Sequence, residues 1–188
     1  KIIKEHYKII SYLGGRQESK TYLVKDIREE EQNKYVLKII KLTKHQNTNI
    51  LQIKNRLDKA LAIFEKLKNC HQTPGLIECF QEHEEFYLLQ EYIEGKDLEQ
   101  QLKKHKSLDP GKVIEILESS LKALAYIHKQ QLVHGNIKPA NLIWKDAEHQ
   151  VVLTDFAAIA EIVDSVPEIQ KGYTPPEQIA GKIYHASD

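Results

Sequence analysis

Methionine is absent from this 188-residue chain, and cysteine and tryptophan number only two and one. Without a methionine, Lys1 is not expected to be a natural start, and "HASD" at the end supplies no closing element, so further chain is expected on both sides. Cys70 and Cys79 match no metal-ligand or redox spacing, and they read as reduced thiols of an intracellular protein in preference to a disulfide. An excess of either charge is also missing, with 27 Lys plus Arg against 27 Asp plus Glu. No global field draws the chain to nucleic acid or to an anionic membrane. Apolar runs such as "YVLKII" and "VVLTDFAAIA" are too short to cross a bilayer, and none of the sequence reads as a signal peptide. Membrane insertion and a nucleic-acid partner are thus not expected, and cytoplasmic placement is. Internal repeats and low-complexity tracts are lacking as well.

What is present fits a soluble domain: 41% hydrophobic and 29% charged residues, enough chain for one sizeable core or two small lobes. Residues 7–42 read as strands and turns. "YKIISYL" runs to Gly14-Gly15, "KTYLVKD" follows, and "KYVLKIIKL" comes after a polar run. In the last of these Val36, Lys38 and Ile40 share a face, an unusual place for a lysine. From Ile50 the period lengthens, and Ile53, Leu57, Ala60, Phe64 and Leu67 continue one helical stripe. "LIECFQEHEEFYLLQEYIEG" reads as two strands around an acidic turn. Asp97 and Gln100 form a capping-box pattern. Asp109-Pro110 opens a longer helix with Val113, Leu117, Leu121, Leu124 and Ile127 along one side. "QVVLTDF" is a further strand.

Three residues in this order supply what phosphoryl transfer from a nucleotide asks of a protein. It asks for cations against phosphates and for oxygen ligands to magnesium. Lys38 is the cation, and Asn141 and Asp155 are the oxygen donors. Each has a plainer reading alone. A strand lysine is usually solvated with its stem on apolar surface, Asn141 could bond its own loop, and Asp155 could cap a strand end.

In combination with the surrounding motifs, the chain from Tyr7 to its last residue resembles the eukaryotic-like serine/threonine protein kinases of bacteria. The resemblance is carried by "LGGRQESKTYLVKD", "VLK", "LLQEYIEGKDL", "HGNIKPAN", "DFA" and "GYTPPEQ". It implies an α+β, two-lobed fold. Residues 1–93 would form a β-rich lobe, a five-stranded sheet with one main helix, and residues 94–188 would begin a mostly helical lobe beyond a hinge at 91–96. It further implies ATP and Mg2+ as ligands, with Gly14 in the phosphate loop and Lys38 on the α- and β-phosphates. Gln90 would be the gatekeeper, Glu91 and Ile93 would offer backbone groups to adenine, and Asp97 would meet the ribose, although its helix-cap role is an equal reading. Lys138 would face the γ-phosphate, Asn141 and Asp155 would hold the metal, His134 would brace the metal-binding motif, and Asp188 would anchor the catalytic loop.

The departures from the family pattern gather on the same residues. Asn136 stands where active relatives carry the aspartate that accepts the hydroxyl proton, and an amide cannot take it at neutral pH. General-base help is typically worth on the order of 10²–10⁴ in rate. Ala60 occupies the helix position of the glutamate that pairs with the strand lysine. Asp58 lies about 200° away around the helix and is a poor substitute. Arg16 and Ser19 replace two loop glycines, with Gly15 and Arg16 open to a simple hairpin-turn role, and Gly135 replaces the arginine that reads a phosphorylated segment. Ala157 replaces the last glycine of the metal-binding motif, and Gln170 falls where a threonine is usual. The expectation is a pseudokinase that binds ATP weakly or not at all and serves a protein partner as scaffold or allosteric element. A working atypical serine/threonine kinase is the alternative, acting on a protein substrate. "VHGN" leaves a smaller place for a small-molecule phosphotransferase.

Overall fold

The computed structural model describes residues 1–15, 19–31, 33–41, 50–157, 169 and 171–188, with the backbone alone for 50–53 and 56. Arg16 and Gln170 therefore lie outside the described residues, as do the side chains of Ile50 and Ile53. The chain forms two compact units, Lys1–Asn55 with Gly75–Tyr92, and Arg56–Pro74 with Ile93–Asp188.

The first unit is an antiparallel sheet of six strands in the order β1-β2-β3-β4-β6-β5. The strands are β1 (Ile2–Ile3), β2 (Tyr7–Gly15), β3 (Ser19–Asp26), β4 (Lys34–Lys41), β5 (Leu76–Glu82) and β6 (Glu85–Glu91). Five strands were expected; the sixth is β1, too short to show a period, which pairs Ile3 with Tyr7 and buries both. The core lies on one face, where Ile3, Tyr7, Val24, Leu37, Ile39, Tyr87 and Leu89 pack together. Burying such side chains contributes roughly 1.5–3 kcal/mol each. Leu37 and Ile39 on that face leave Lys38 on the other by the two-residue alternation.

Polar bonds close the end of this sheet. Asp26 is almost fully buried and accepts from the backbone N–H of Arg28 at 2.9 Å, while the Arg28 guanidinium approaches it to 2.6 Å. Those hydrogen bonds hold its carboxyl below the usual range despite burial. Tyr7 donates to Glu78 at 3.1 Å, and burial, then the Glu78 charge, push its phenol up to about 12.

In the second unit α1 (Ile50–Leu67) buries Leu57, Ala60, Phe64 and Leu67, as the stripe predicts. From Arg56 onward this helix belongs to the second unit. Gln72 gives the reason for the segment behind it. Its side-chain amide donates to Ser119 Oγ at 3.0 Å and to the Val151 carbonyl at 2.9 Å, and its own carbonyl accepts from Leu153 N at 2.8 Å.

Helix α2 (Leu98–His105) starts at Asp97, whose carboxylate accepts from Gln100 N at 2.8 Å. Helix α3 (Pro110–Lys129) starts at Asp109, which accepts from Gly111 N at 2.9 Å. The apolar side read on α3 is buried only in its last turns, at Leu124 and Ile127. Val113, Leu117 and Leu121 are 47%, 56% and 56% exposed, whereas Ile116, Ser119, Ser120, Ala123, Leu124 and Ile127 face inward. The inward serines are satisfied: Ser120 Oγ donates to Ile116 O at 2.7 Å, and Ser119 Oγ accepts from Val151 N at 2.8 Å. A three-stranded sheet, β7 (Lys96–Asp97), β8 (Leu142–Lys145) and β9 (Gln150–Leu153), packs on α3, and the short α4 (Pro176–Ile179) follows. Among the described residues no helix is long and apolar enough to cross a membrane.

Candidate functional site

Gly14, Lys38, Gln90 and Glu91 lie in the first unit, and Ile93, Asp97, Asn136, Lys138, Asn141 and Asp155 in the second. Strand register arranges the first group. Gly14 stands opposite Thr21, Thr21 opposite Lys38, and Lys38 opposite Leu88, so all four occupy one row across the sheet. At the usual strand spacing Gly14 is about 10 Å from Lys38. Gly14 has φ +146° and open space where a side chain would project. Gly15 differs: a Cβ there would come within 2.2 Å of the Ser19 carbonyl, so this glycine serves the β2–β3 turn. Lys38 is half-buried, and Gln90 sits opposite Val36 on its face of β4. Glu91 is tied back to Gly75, donating its N–H to the Gly75 carbonyl and accepting Gly75 N–H on its carboxylate, both at 3.0 Å. Ile93 is half-buried just beyond.

In the second unit the loop between α3 and β8 is drawn tight by long-range bonds. The Asp188 carboxylate accepts from His134 N at 2.8 Å and Gly135 N at 2.6 Å, and meets His128 Nε2 at 2.9 Å. The Gly135 carbonyl accepts from Gln178 Nε2 at 2.7 Å. Gly135 itself has φ +71°, and a Cβ there would stand 3.0 Å from Ala157 Cβ. His134 is fully buried against Phe156, and its carbonyl accepts Ala157 N–H at 2.9 Å. Burial pushes the His134 imidazole down to about 4, against the pull of the Asp188 and Asp155 charges, so it stands neutral.

Asn136, Asn141 and Asp155 are brought together. Asn136 Nδ2 donates to the Asp155 main-chain carbonyl at 2.8 Å, and Asn141 Nδ2 donates to the Asn136 carbonyl at 2.8 Å. Thr154 N, one residue before Asp155, donates to the Asn141 carbonyl at 3.0 Å. Asp155 is exposed and has φ +57°, in the left-handed region that aspartate enters more readily than most non-glycine residues. Lys138 is half-buried at the head of the single turn Pro139–Asn141. Asp97 keeps its helix-cap bond, which commits one carboxylate oxygen.

The donor chemistry of this cluster fits Mg2+. With its Nδ2 committed to the Asn136 carbonyl, Asn141 has its amide oxygen left as an acceptor, and Asp155 supplies a carboxylate from the linked segment. Magnesium takes such hard oxygens sparingly and completes its shell with phosphate and water. No group of three or more His, Cys, Asp or Glu able to hold a metal occurs among the described residues. Cys70 and Cys79 are both free.

This order of elements matches a known family. The protein kinase domain profile matches residues 7–188. The chain belongs to the protein kinase family. It is 32% identical over 200 residues to the serine/threonine-protein kinase PknA of Nostoc sp., covering all of this chain and 35% of that protein. It is 36% identical over 137 residues to serine/threonine-protein kinase B of Synechocystis sp., covering 65% of this chain and 24% of that protein. Serine/threonine-protein kinase PrkC of Bacillus subtilis is 25% identical over 191 residues, with 27% of it covered. The chain thus spans about a quarter to a third of these kinases. The α+β kinase fold and the bacterial serine/threonine kinase relationship expected from the motifs both stand. His128, Gln72 and Gln178 were not singled out in the sequence, because nothing local marks a polar residue whose partner lies 43 to 79 positions away.

Proposed function

We propose that this chain is a pseudokinase domain that retains weak binding of ATP with Mg2+ and acts as a scaffold or allosteric element for a protein partner in the cytoplasm. Lys38 would hold the α- and β-phosphates and Lys138 the γ-phosphate, with Asn141 and Asp155 on the metal. Bound Mg2+ would neutralise phosphate charge. Gly14 would allow close backbone approach to the phosphates. Gln90, the backbone of Glu91 and Ile93, and Asp97 would receive the nucleoside. One observation carries the reading against catalysis: the position of the proton acceptor is Asn136, an amide whose N–H is already donated to Asp155 O. Ala60, fully buried in α1 where the partner glutamate is usual, points the same way.

The test is transfer from radiolabelled ATP together with thermal shift in the intact protein. No transfer to itself or to a generic protein substrate is expected, and Asn136→Asp alone should not restore it. ATP with magnesium should raise the melting temperature, and Lys38→Ala should abolish the rise. A second reading, an active atypical serine/threonine kinase, draws on the retained Lys38, Asn141 and Asp155, since positioning and electrostatics supply most of phosphoryl-transfer catalysis. Transfer that disappears in Asp155→Asn would establish it in place of the first.

A further inference from the structure

Three side-chain and backbone bonds link the residues around Asp155 into a closed circuit. The Asn136 amide donates to Asp155 O, Thr154 N donates to Asn141 O, and the Asn141 amide donates back to Asn136 O. Two of the three use a side-chain N–H. Asn141 is nearly fully buried and has the loop for surroundings, whereas Asn136 is half-buried and could have turned to water. It bonds instead to the main chain of a residue in the left-handed conformation. An amide can make this bond and the carboxylate it stands in for cannot. A carboxylate of the same size accepts and does not donate, so at this position it would set its oxygens against the Asp155 carbonyl oxygen.

We propose that Asn136 is a positioning residue: its side-chain N–H fixes the backbone of Asp155 and so holds the carboxylate of Asp155 at one orientation. The exchange of acid for amide then does more than remove a proton acceptor. It ties the loop of residues 132–141 to the start of the segment that follows β9. The proposal deepens the reading above, because the residue held is the one assigned to the metal. Its test uses neither nucleotide nor metal, so the two stand or fall separately.

The experiment is hydrogen exchange of the intact protein in chelator, comparing wild type with Asn136→Asp and Asn136→Ala. The amide of Thr154, which donates to Asn141 O, reports on the circuit, that of Ala157, which donates to His134 O, reports on the adjoining link between the same two segments, and those of β6 report on global stability. Loss of one net hydrogen bond should speed exchange at Thr154 and Ala157 by about fivefold in Asn136→Ala. Asn136→Asp, although isosteric, should speed it at least as much, with β6 unchanged in both. A residue that merely fills space would give the opposite order, with Asn136→Asp close to wild type. That order, no change in either variant, or an equal acceleration in β6 overturns the proposal. Should either variant not fold, the wild-type side chain decides: the Asn136 Nδ2 protons should exchange several-fold more slowly than those of exposed Asn33, and equal rates refute the bond.

Discussion

Replacing Gly135 by alanine is a sharp probe of the geometry of the loop of residues 132–141, because one added carbon meets two separate obstacles. The backbone there has φ +71°, and holding an L residue in the left-handed region costs about 1–2 kcal/mol. The new Cβ would also stand 3.0 Å from Ala157 Cβ, closer than two carbons pack without one giving way. Reduced freedom of the unfolded chain returns about 0.4–1 kcal/mol. The net expectation is a loss of about 1–2 kcal/mol, or some 2–8 °C in Tm for a domain of this size. Urea unfolding of Gly135→Ala, Ala157→Gly and the double variant separates the two causes. Removing the Ala157 methyl should relieve the contact but leave the backbone strain, so the double variant should be more stable than the summed singles by more than the ~0.5 kcal/mol of ordinary additivity. A neutral Gly135→Ala, or strict additivity, refutes the reasoning. The same arithmetic means that the arginine usual in active relatives cannot simply be put back: Gly135 and Ala157 are matched, and Gly135→Arg carries the same Cβ.

Acid should destabilise the protein through His134. The unfolded imidazole takes a proton near 6.5, whereas burial delays this to about 4 in the fold. The stability it contributes is therefore complete above about pH 6.5 and falls as the pH drops toward 4, by about 3 kcal/mol over the full span. His134→Phe should flatten that limb of the pH–stability curve; an unchanged limb would show that other groups produce it. Asp26→Asn, which removes the Arg28 ion pair from a buried carboxylate, should lower the urea midpoint by the equivalent of about 1–3 kcal/mol with an unchanged slope. A shift below 0.5 kcal/mol would mean that the Arg28 pair stabilises nothing.

Much of the fold could be read from local pattern because local rules produce it. Asp97 and Asp109 cap helices as their spacing announces, and the alternation of β4 places Lys38 opposite to Leu37 and Ile39. The α1 stripe holds at Leu57, Ala60, Phe64 and Leu67. The inner face of α3 is not legible from hydrophobicity alone, which ranks Leu117 and Leu121 above Ser119 and Ser120. A serine becomes an inward residue only when a distant donor or acceptor satisfies it, here Val151 N for Ser119. Asn136 shows the same limit at the site. Its identity told that an acid is missing, but its bond to Asp155 O depends on a segment 19 residues away that no period encodes.

The Asp188 carboxylate also bears on the order in which the chain folds. It receives two successive backbone N–H groups from residues 54 and 53 positions earlier, and no nearer group among the described residues substitutes for it there. During synthesis the loop of residues 132–141 therefore emerges well before the residue that sets it, at a translation rate of about 5–20 residues per second. For some seconds His134 and Gly135 present unfilled donors to water, and the loop takes its final form only when Asp188 arrives. The sheet of the first unit, built from pairings within residues 2–91, has no such wait, so nascent chains should gain their strands before they gain the loop.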